Sequence, residues 1–143
     1  MIWKQKPELE TLQKLAKNTL LENLGIILEE VGPDFISARM PVDDRTVQPF
    51  RILHGGASVA LAESLGSFAS TLTLEDIGKQ TAVGVEINAS HLRSVPEGST
   101  VTGRATPVRL GRSIQVWKIE ITDEQGRLVC VSRLTMAVVE RRT

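Results

Sequence analysis

The 143 residues hold only two histidines, His54 and His91, and one cysteine, Cys130. A single thiol excludes an internal disulfide, and so few imidazole and thiol groups leave no expected metal cluster. Cys130 sits in an apolar strand pattern and reads as a packed core thiol. An excess of charge of either sign is also missing. Seventeen basic residues balance seventeen acidic ones, so no net field draws the chain to nucleic acid or to an anionic membrane surface. The opening Met1-Ile2-Trp3-Lys4-Gln5-Lys6-Pro7-Glu8 lacks the apolar segment of a secretion signal. A cytoplasmic location is therefore expected, and the Asn88-Ala89-Ser90 sequon carries no meaning there. No repeat, linker or low-complexity tract interrupts the chain, and its length and 41% apolar content predict one domain over 1–143.

What the chain does have is a long run that is almost free of charge. From Gly55 to Leu74 the one ionisable residue is Glu63, among Ala, Ser, Gly, Thr, Val, Leu and Phe. With no internal proline, that run is too long for a buried strand and predicts a helix of about five turns over Ala57–Leu74, entered through Gly55-Gly56. Apolar residues fall on every side of it (Val59, Leu61, Leu65, Phe68, Leu72, Leu74), which predicts burial almost all round. Its many small residues let other backbone come close. Glu63 and the Ser and Thr residues argue against a membrane span.

Before this run, Leu9, Leu12 and Leu15 after Pro7 predict a short amphipathic helix over 8–18, with a further turn at 19–24. Residues 26–31 and 35–40 read as a hairpin around Gly32-Pro33-Asp34. The irregular stretch 41–51 has the length of a functional loop and delivers the chain to His54. After the helix, strands are expected over 81–92, 100–110, 113–122 and 127–139, with Pro107 marking an edge or a bulge. In 81–92, Val83, Val85, Ile87 and Ala89 alternate with Ala82, Gly84, Glu86 and Asn88. A hairpin, one long apolar helix and a run of antiparallel strands predict an α+β fold in which a curved sheet wraps the helix.

The segments Gln48-Pro-Phe-x-x-Leu-His-Gly-Gly-Ala-Ser, Leu61-Ala-Glu-Ser with Gly66-Ser67, Glu86-Ile-Asn-Ala with His91-x-Arg93, and Leu110-Gly-Arg together resemble the hotdog-fold acyl-CoA thioesterases. The similar branch holds the 4-hydroxybenzoyl-CoA, dihydroxynaphthoyl-CoA and enterobactin-proofreading enzymes, which leaves menaquinone synthesis among the candidate pathways. The resemblance covers nearly the whole chain. It implies strands wrapped around a central helix, a catalytic carboxylate on that helix, and active sites shared between two subunits, with dimers paired into tetramers. It also implies coenzyme A as part of the substrate rather than as a cofactor. By position it puts the pantetheine and phosphates against Gly84, against His91, Leu92, Arg93 and Ser94, and against Arg109, Leu110, Gly111, Arg112, Ser113 and Ile114. The chain departs from this pattern at Arg51, where Gly is usual, and between Gly98 and Pro107, where it is one residue longer.

Thioester hydrolysis needs an attacking oxygen and fixed donors where negative charge develops. Glu63 is the carboxylate on the helix. Ser67 lies four residues on, on the same face, where it can orient that carboxylate or a water. The Gly55 N–H at the helix N-terminus is the natural oxyanion donor. Gln48 offers an amide to the same carbonyl, and His54 holds the loop or the thioester end of the substrate. Gly55 and Glu63 are eight residues apart, about 12 Å of helical rise, too far to meet one carbonyl from one chain. The spacing therefore suggests a symmetric dimer with two composite sites.

Gly56-Ala57-Ser58-Val59-Ala60 falls one residue short of a nucleophile elbow. A serine hydrolase, however, needs a later His and a larger sheet than this chain supplies. A hotdog dehydratase pairing His54 with Glu63 is the closer alternative, and a non-catalytic acyl-CoA binding module is the third.

Overall fold

The computed structural model describes residues 1–142. The helices are α1 (Leu9–Leu15), α2 (Leu20–Leu24) and α3 (Gly55–Leu72); the strands are β1 (Ile27–Val31), β2 (Ile36–Pro41), β3 (Gln80–His91), β4 (Thr100–Leu110), β5 (Ile114–Thr122) and β6 (Leu128–Glu140). All pair antiparallel in one sheet of order β1-β2-β4-β5-β6-β3, with α3 laid across one face against every strand but β1. This is the α+β arrangement that the pattern predicts. Among the described residues no helix is long and apolar enough to cross a membrane.

Local chemistry sets the element ends. The amphipathic run at 8–18 stops at Leu15, and Asn18 turns the chain with a φ of 61°. A separate α2 then begins under the Thr19 hydroxyl, which accepts from the Leu21 N–H, and ends at Gly25 in the left-handed region. Helix α3 starts two residues before the expected position, because the His54 imidazole caps it. Pro107 sits at a bulge between β4 and β5, as expected.

The core lies between α3 and the sheet, where Leu61, Leu65, Ala69 and Leu72 meet Met40, Val101, Trp117, Ile119, Ile121, Leu134 and Met136. Cys130 is a fully buried member of it, and burial pushes its thiol pKa up, away from reactivity. Two close approaches fix the spacing of the layers. A Cβ on Gly66 would stand 2.3 Å from Leu134 Cδ2, and one on Gly103 would stand 2.8 Å from Leu65 Cδ1.

Two expectations are corrected. Helix α3 is not buried all round: Ala57, Ser58, Leu61, Ala62, Leu65, Gly66, Ala69 and Ser70 are buried, while Gly56, Glu63 and Thr71 are exposed and Val59, Ala60, Ser64 and Ser67 half-buried. The sheet covers one side only, and small residues spread the apolar content too evenly for the sequence to show which. In β3 the alternation changes face, because a bulge between Gly84 and Glu86 shifts the register against β6. Ala82, Ile87 and Ala89 pack on the core while Val83 and Val85 point away from it, 44% and 60% exposed.

The first residues form a strap that the sequence pattern did not reveal. Trp3 is buried, stacks on Trp117 at 6.4 Å between ring centroids and donates its Nε1–H to the Gly32 carbonyl. The Lys4 and Gln5 N–H groups both donate to Leu72 O, closing the C-terminal end of α3. Beneath the strap, Gln115 Oε1 accepts from the Ser70 hydroxyl and Trp117 Nε1, and its Nε2 donates to Thr73 Oγ1. Trp3→Ala removes a buried aromatic together with its hydrogen bond. It should lower unfolding free energy by about 3 kcal/mol, read from urea midpoints at fixed protein concentration; a loss under about 1 kcal/mol would show the strap to be peripheral.

Candidate active site

The N-terminal turn of α3 is built from the preceding loop. His54 N–H donates to Thr46 O, Gln48 N–H to Ile52 O and Leu53 N–H to Val95 O, so the loop is tied back on itself and onto the segment after β3. Arg51 adopts a φ of 62° and pairs with Glu97, which also donates its N–H to Arg51 O. The departure at Arg51 is thus accommodated in a left-handed turn that glycine would enter more readily. Within this loop the Gln48 side-chain oxygen accepts from the Phe50 N–H, which fixes the amide's orientation, and its NH2 has no acceptor among the described residues.

Four N–H groups at the start of a helix lack intrahelical partners. Here the Gly56 N–H donates to His54 Nδ1 at 2.7 Å, and the Ala57 and Ser58 N–H groups donate to His54 O. Gly55 is left with the one free N–H of this turn among the described residues. Because Nδ1 accepts, the ring proton is on Nε2, which has no hydrogen-bond partner among the described residues.

Glu63 is exposed on the open face of α3, two turns along. Its carboxylate lies against β3, with Oε2 2.9 Å from where a Cβ on Gly84 would stand. Gly84 therefore makes room for the carboxylate. Ser67 has no hydrogen-bond partner for its hydroxyl among the described residues, whereas Ser64 donates to Ala60 O and Thr71 to Ser67 O. Glu63, Ser64, Ser67 and Thr71 line an open pocket of about 630 Å³ between α3 and α2, together with Leu20, Leu21 and Phe68. Those three apolar residues are additions to the expected site residues. Leucine and phenylalanine give no signal of a site until α2 is known to face α3.

The sixteen candidate positions do not converge in one chain. Gln48, His54 and Gly55 gather at the N-terminal end of α3, with His91 beside them, while Glu63, Ser67 and Gly84 lie further along. Leu92, Arg93 and Ser94 follow His91 on the exposed segment after β3. Arg109 to Ile114 form the β4–β5 turn at the opposite end of the sheet, where Gly111 is needed because a Cβ would lie 2.6 Å from Ile114 O. Ile114 pairs with Ala137 and Ala137 with Val83, so this turn is about 26 Å along the strands from His91. Leu110, Gly111 and Arg112 share a pocket of about 390 Å³ there with Lys4 and Gln80. Among the described residues no three of His, Cys, Asp and Glu are arranged to hold a metal.

The model of the Thioesterase superfamily matches residues 50–130. Over 139 residues the chain is 53% identical to the 1,4-dihydroxy-2-naphthoyl-CoA hydrolase of Escherichia coli, covering 97% of this chain and 100% of that protein. It is 52% identical to the proofreading thioesterase EntH of Cronobacter sakazakii, covering 97% and 99%. A crystal structure of a thioesterase from Haemophilus influenzae is 54% identical, with a TM-score of 0.93 over 98% of this chain and 96% of that one.

The His54 cap can be tested apart from any chemistry. His54→Ala removes the acceptor for the Gly56 N–H and should cost about 1 kcal/mol in urea unfolding, while His54→Asn, which keeps a capping acceptor, should lose less than half of that. Equal losses would mean that the imidazole's packing, and not its Nδ1, holds the turn.

Proposed function

The chain belongs to the thioesterase superfamily, and from that premise we propose that this hotdog-fold thioester hydrolase cleaves an aryl thioester of coenzyme A to the free acid and CoA. The free Gly55 N–H at a helix N-terminus, with a carboxylate two turns further on, is the observation that carries this reading. The thioester oxygen accepts from the Gly55 N–H and from the free amide of Gln48, where helix charge and fixed donors favour the developing oxyanion. The Glu63 carboxylate supplies the attack, either by bonding directly to the carbonyl carbon or by taking a proton from the water that does so. Collapse of the tetrahedral adduct breaks the C–S bond, and the departing CoA sulfur takes up a proton. That proton is the one Glu63 took from the water, or, if Glu63 attacks directly, comes from solvent, and a single water then hydrolyses the resulting anhydride to the free acid and the Glu63 carboxylate. Ser67 orients the carboxylate or water, and His54 Nε2–H holds the thioester end.

Gly55 and Glu63 are on one continuous helix, about 12 Å apart in rise, so the pair in one chain serves different thioesters, and one thioester meets both groups only where two chains combine. The free edge of β3, twelve residues long with Val83 and Val85 exposed, supports a two-fold dimer formed by antiparallel β3 pairing. With its two-fold axis near Ile87 and Asn88, such pairing would put the His91 end of one strand beside the Gly84 region of its partner. It would also bring the β4–β5 turn of the partner toward His91–Ser94, reuniting the two groups of expected CoA contacts. The dimer leaves the pairing of dimers into tetramers open to a sizing measurement.

The pocket supports an aryl acid. Leu20, Leu21 and Phe68 offer flat apolar contact, and the hydroxyl oxygens of Ser64 and Ser67 can accept from ring hydroxyls. The similarity to a 1,4-dihydroxy-2-naphthoyl-CoA hydrolase supports an aryl substrate, and menaquinone synthesis is one setting for it. The dehydratase alternative fares worse. It asks His54 to act as a base, yet the Gly56 N–H occupies Nδ1 and leaves the proton on Nε2. A CoA-binding module without catalysis leaves the exposed Glu63 without a purpose.

Complementation tests the composite site. Glu63→Ala should fold normally and lose hydrolysis of aryl-CoA by at least about 10³-fold, as should Gly55→Val, whose side chain blocks the N–H and displaces His91. Refolded together, half of the dimers are mixed, and one of the two sites in each is intact. Roughly a quarter of wild-type activity should return. No recovery, with mixed dimers demonstrated by mass, would place both groups in one chain; full activity in Glu63→Ala alone would remove Glu63 from the chemistry.

The CoA contacts are tested separately. Arg109→Ala and Arg112→Ala should raise KM by about tenfold with kcat nearly unchanged, because phosphate contacts remote from the thioester hold substrate and transition state alike. Loss confined to kcat would move the phosphates elsewhere.

A further inference from the structure

The histidine that the resemblance implies for CoA binding stands somewhere more consequential. His91, the last residue of β3, lays its imidazole over Gly55. A Cβ on Gly55 would be 2.8 Å from His91 Nε2, 3.0 Å from Cε1 and 3.3 Å from Cδ2. A side chain at position 55 would therefore meet this imidazole unless the histidine moved aside. The imidazole is not there to pack a core, since His91 is exposed. Neither of its nitrogens has a hydrogen-bond partner among the described residues.

Building on the thioesterase reading, we infer that His91 is a further side-chain donor to the oxyanion, joining the Gly55 N–H of its own chain and the Gln48 amide. The distances permit it. From standard backbone geometry a Cβ stands about 2.5 Å from its own nitrogen, so Nε2 lies no more than about 5.3 Å from the Gly55 nitrogen. Two donors can share one oxygen at about 2.9 Å each only when they are within about 5.8 Å of each other, and these two are. The need is also present: the other N–H groups of the first turn are occupied by His54, so the backbone offers the oxygen a single bond. An oxyanion gains most from donors that are already in place when charge develops. An imidazole carrying its proton on Nε2, neutral or charged, donates from that atom. Gln48 approaches from the loop, whereas His91 approaches from the strand and touches Gly55 itself.

The test uses benzoyl-CoA with free-thiol detection on the wild type, Glu63→Ala, His91→Phe and His91→Gln, together with the affinity for CoA alone by calorimetry. CoA has no thioester carbonyl, so it separates the two roles. In His91→Phe, which keeps a ring over Gly55 without a donor, kcat should fall about 10²-fold, with KM and CoA affinity within about twofold of wild type. His91→Gln, which restores an N–H, should recover part of the loss. Wild-type kcat in His91→Phe would make the imidazole a packing group, and a rise would make it an obstruction. Weakened CoA binding with kcat retained would make it the CoA contact that the resemblance implies. Each of these overturns the inference while the thioesterase reading stands, provided that Glu63→Ala is inactive. No turnover by the wild type would remove both. Circular dichroism checks each fold, and His91→Ala replaces His91→Phe in the kinetics if the larger ring is not accommodated.

Discussion

Helix α3 can lie against the sheet only because glycine stands where a leucine of the facing layer arrives. Leu134 occupies the space a side chain on Gly66 would need, and Leu61 and Leu65 occupy the space above Gly103. Close-packed interiors do not absorb an added methyl group for free, so these two points set the separation of helix and sheet. That separation sets how far Glu63 reaches across β3, where Gly84 yields room for the carboxylate, and how closely His91 approaches Gly55. The same substitution of space for side chain thus recurs from the core to the candidate site.

The two ends of α3 are treated differently. At the C-terminal end the carbonyls are closed off: Leu72 O accepts two N–H groups from the strap, and Ser70 O accepts from both the Thr73 N–H and its hydroxyl. A buried amide, Gln115, knits that end to β5. At the N-terminal end one N–H remains open. A helix sealed at its negative end and open at its positive end presents a fixed partial charge to whatever binds there, without any ion being involved. Nothing in the net charge of the chain, which is zero, hints at this local polarity.

Much of this was legible beforehand, and the gaps have physical causes. Periodicity located the long helix, both hairpin strands and the four later strands to within a few residues, and a lone carboxylate in an uncharged run identified Glu63. The open face of α3 was not legible, because Ala, Ser and Gly fit a buried face and a site wall equally well. The bulge at Gly84 changed which residues of β3 point inward, and a one-residue shift leaves no mark in an alternating pattern. Trp3 and Trp117 are 114 positions apart in sequence, and their contact follows only from how the sheet brings β5 beneath the first residues. Likewise His54 and His91 were both singled out, but only tertiary geometry sets one as a cap under the helix and the other over Gly55.

The stacked pair has an optical consequence. Trp3 and Trp117 are the only tryptophans, and the chain contains no tyrosine. Intrinsic near-ultraviolet absorption and emission therefore arise almost wholly from two coupled indoles locked at the sealed end of the helix. Their near-parallel rings, 6° apart, will couple as one chromophore while the strap is seated and separate into two when it leaves. The protein thus carries a built-in gauge of its first residues that is nearly blind to Gly55, and light absorbed by a bound aromatic acid will stand apart from it.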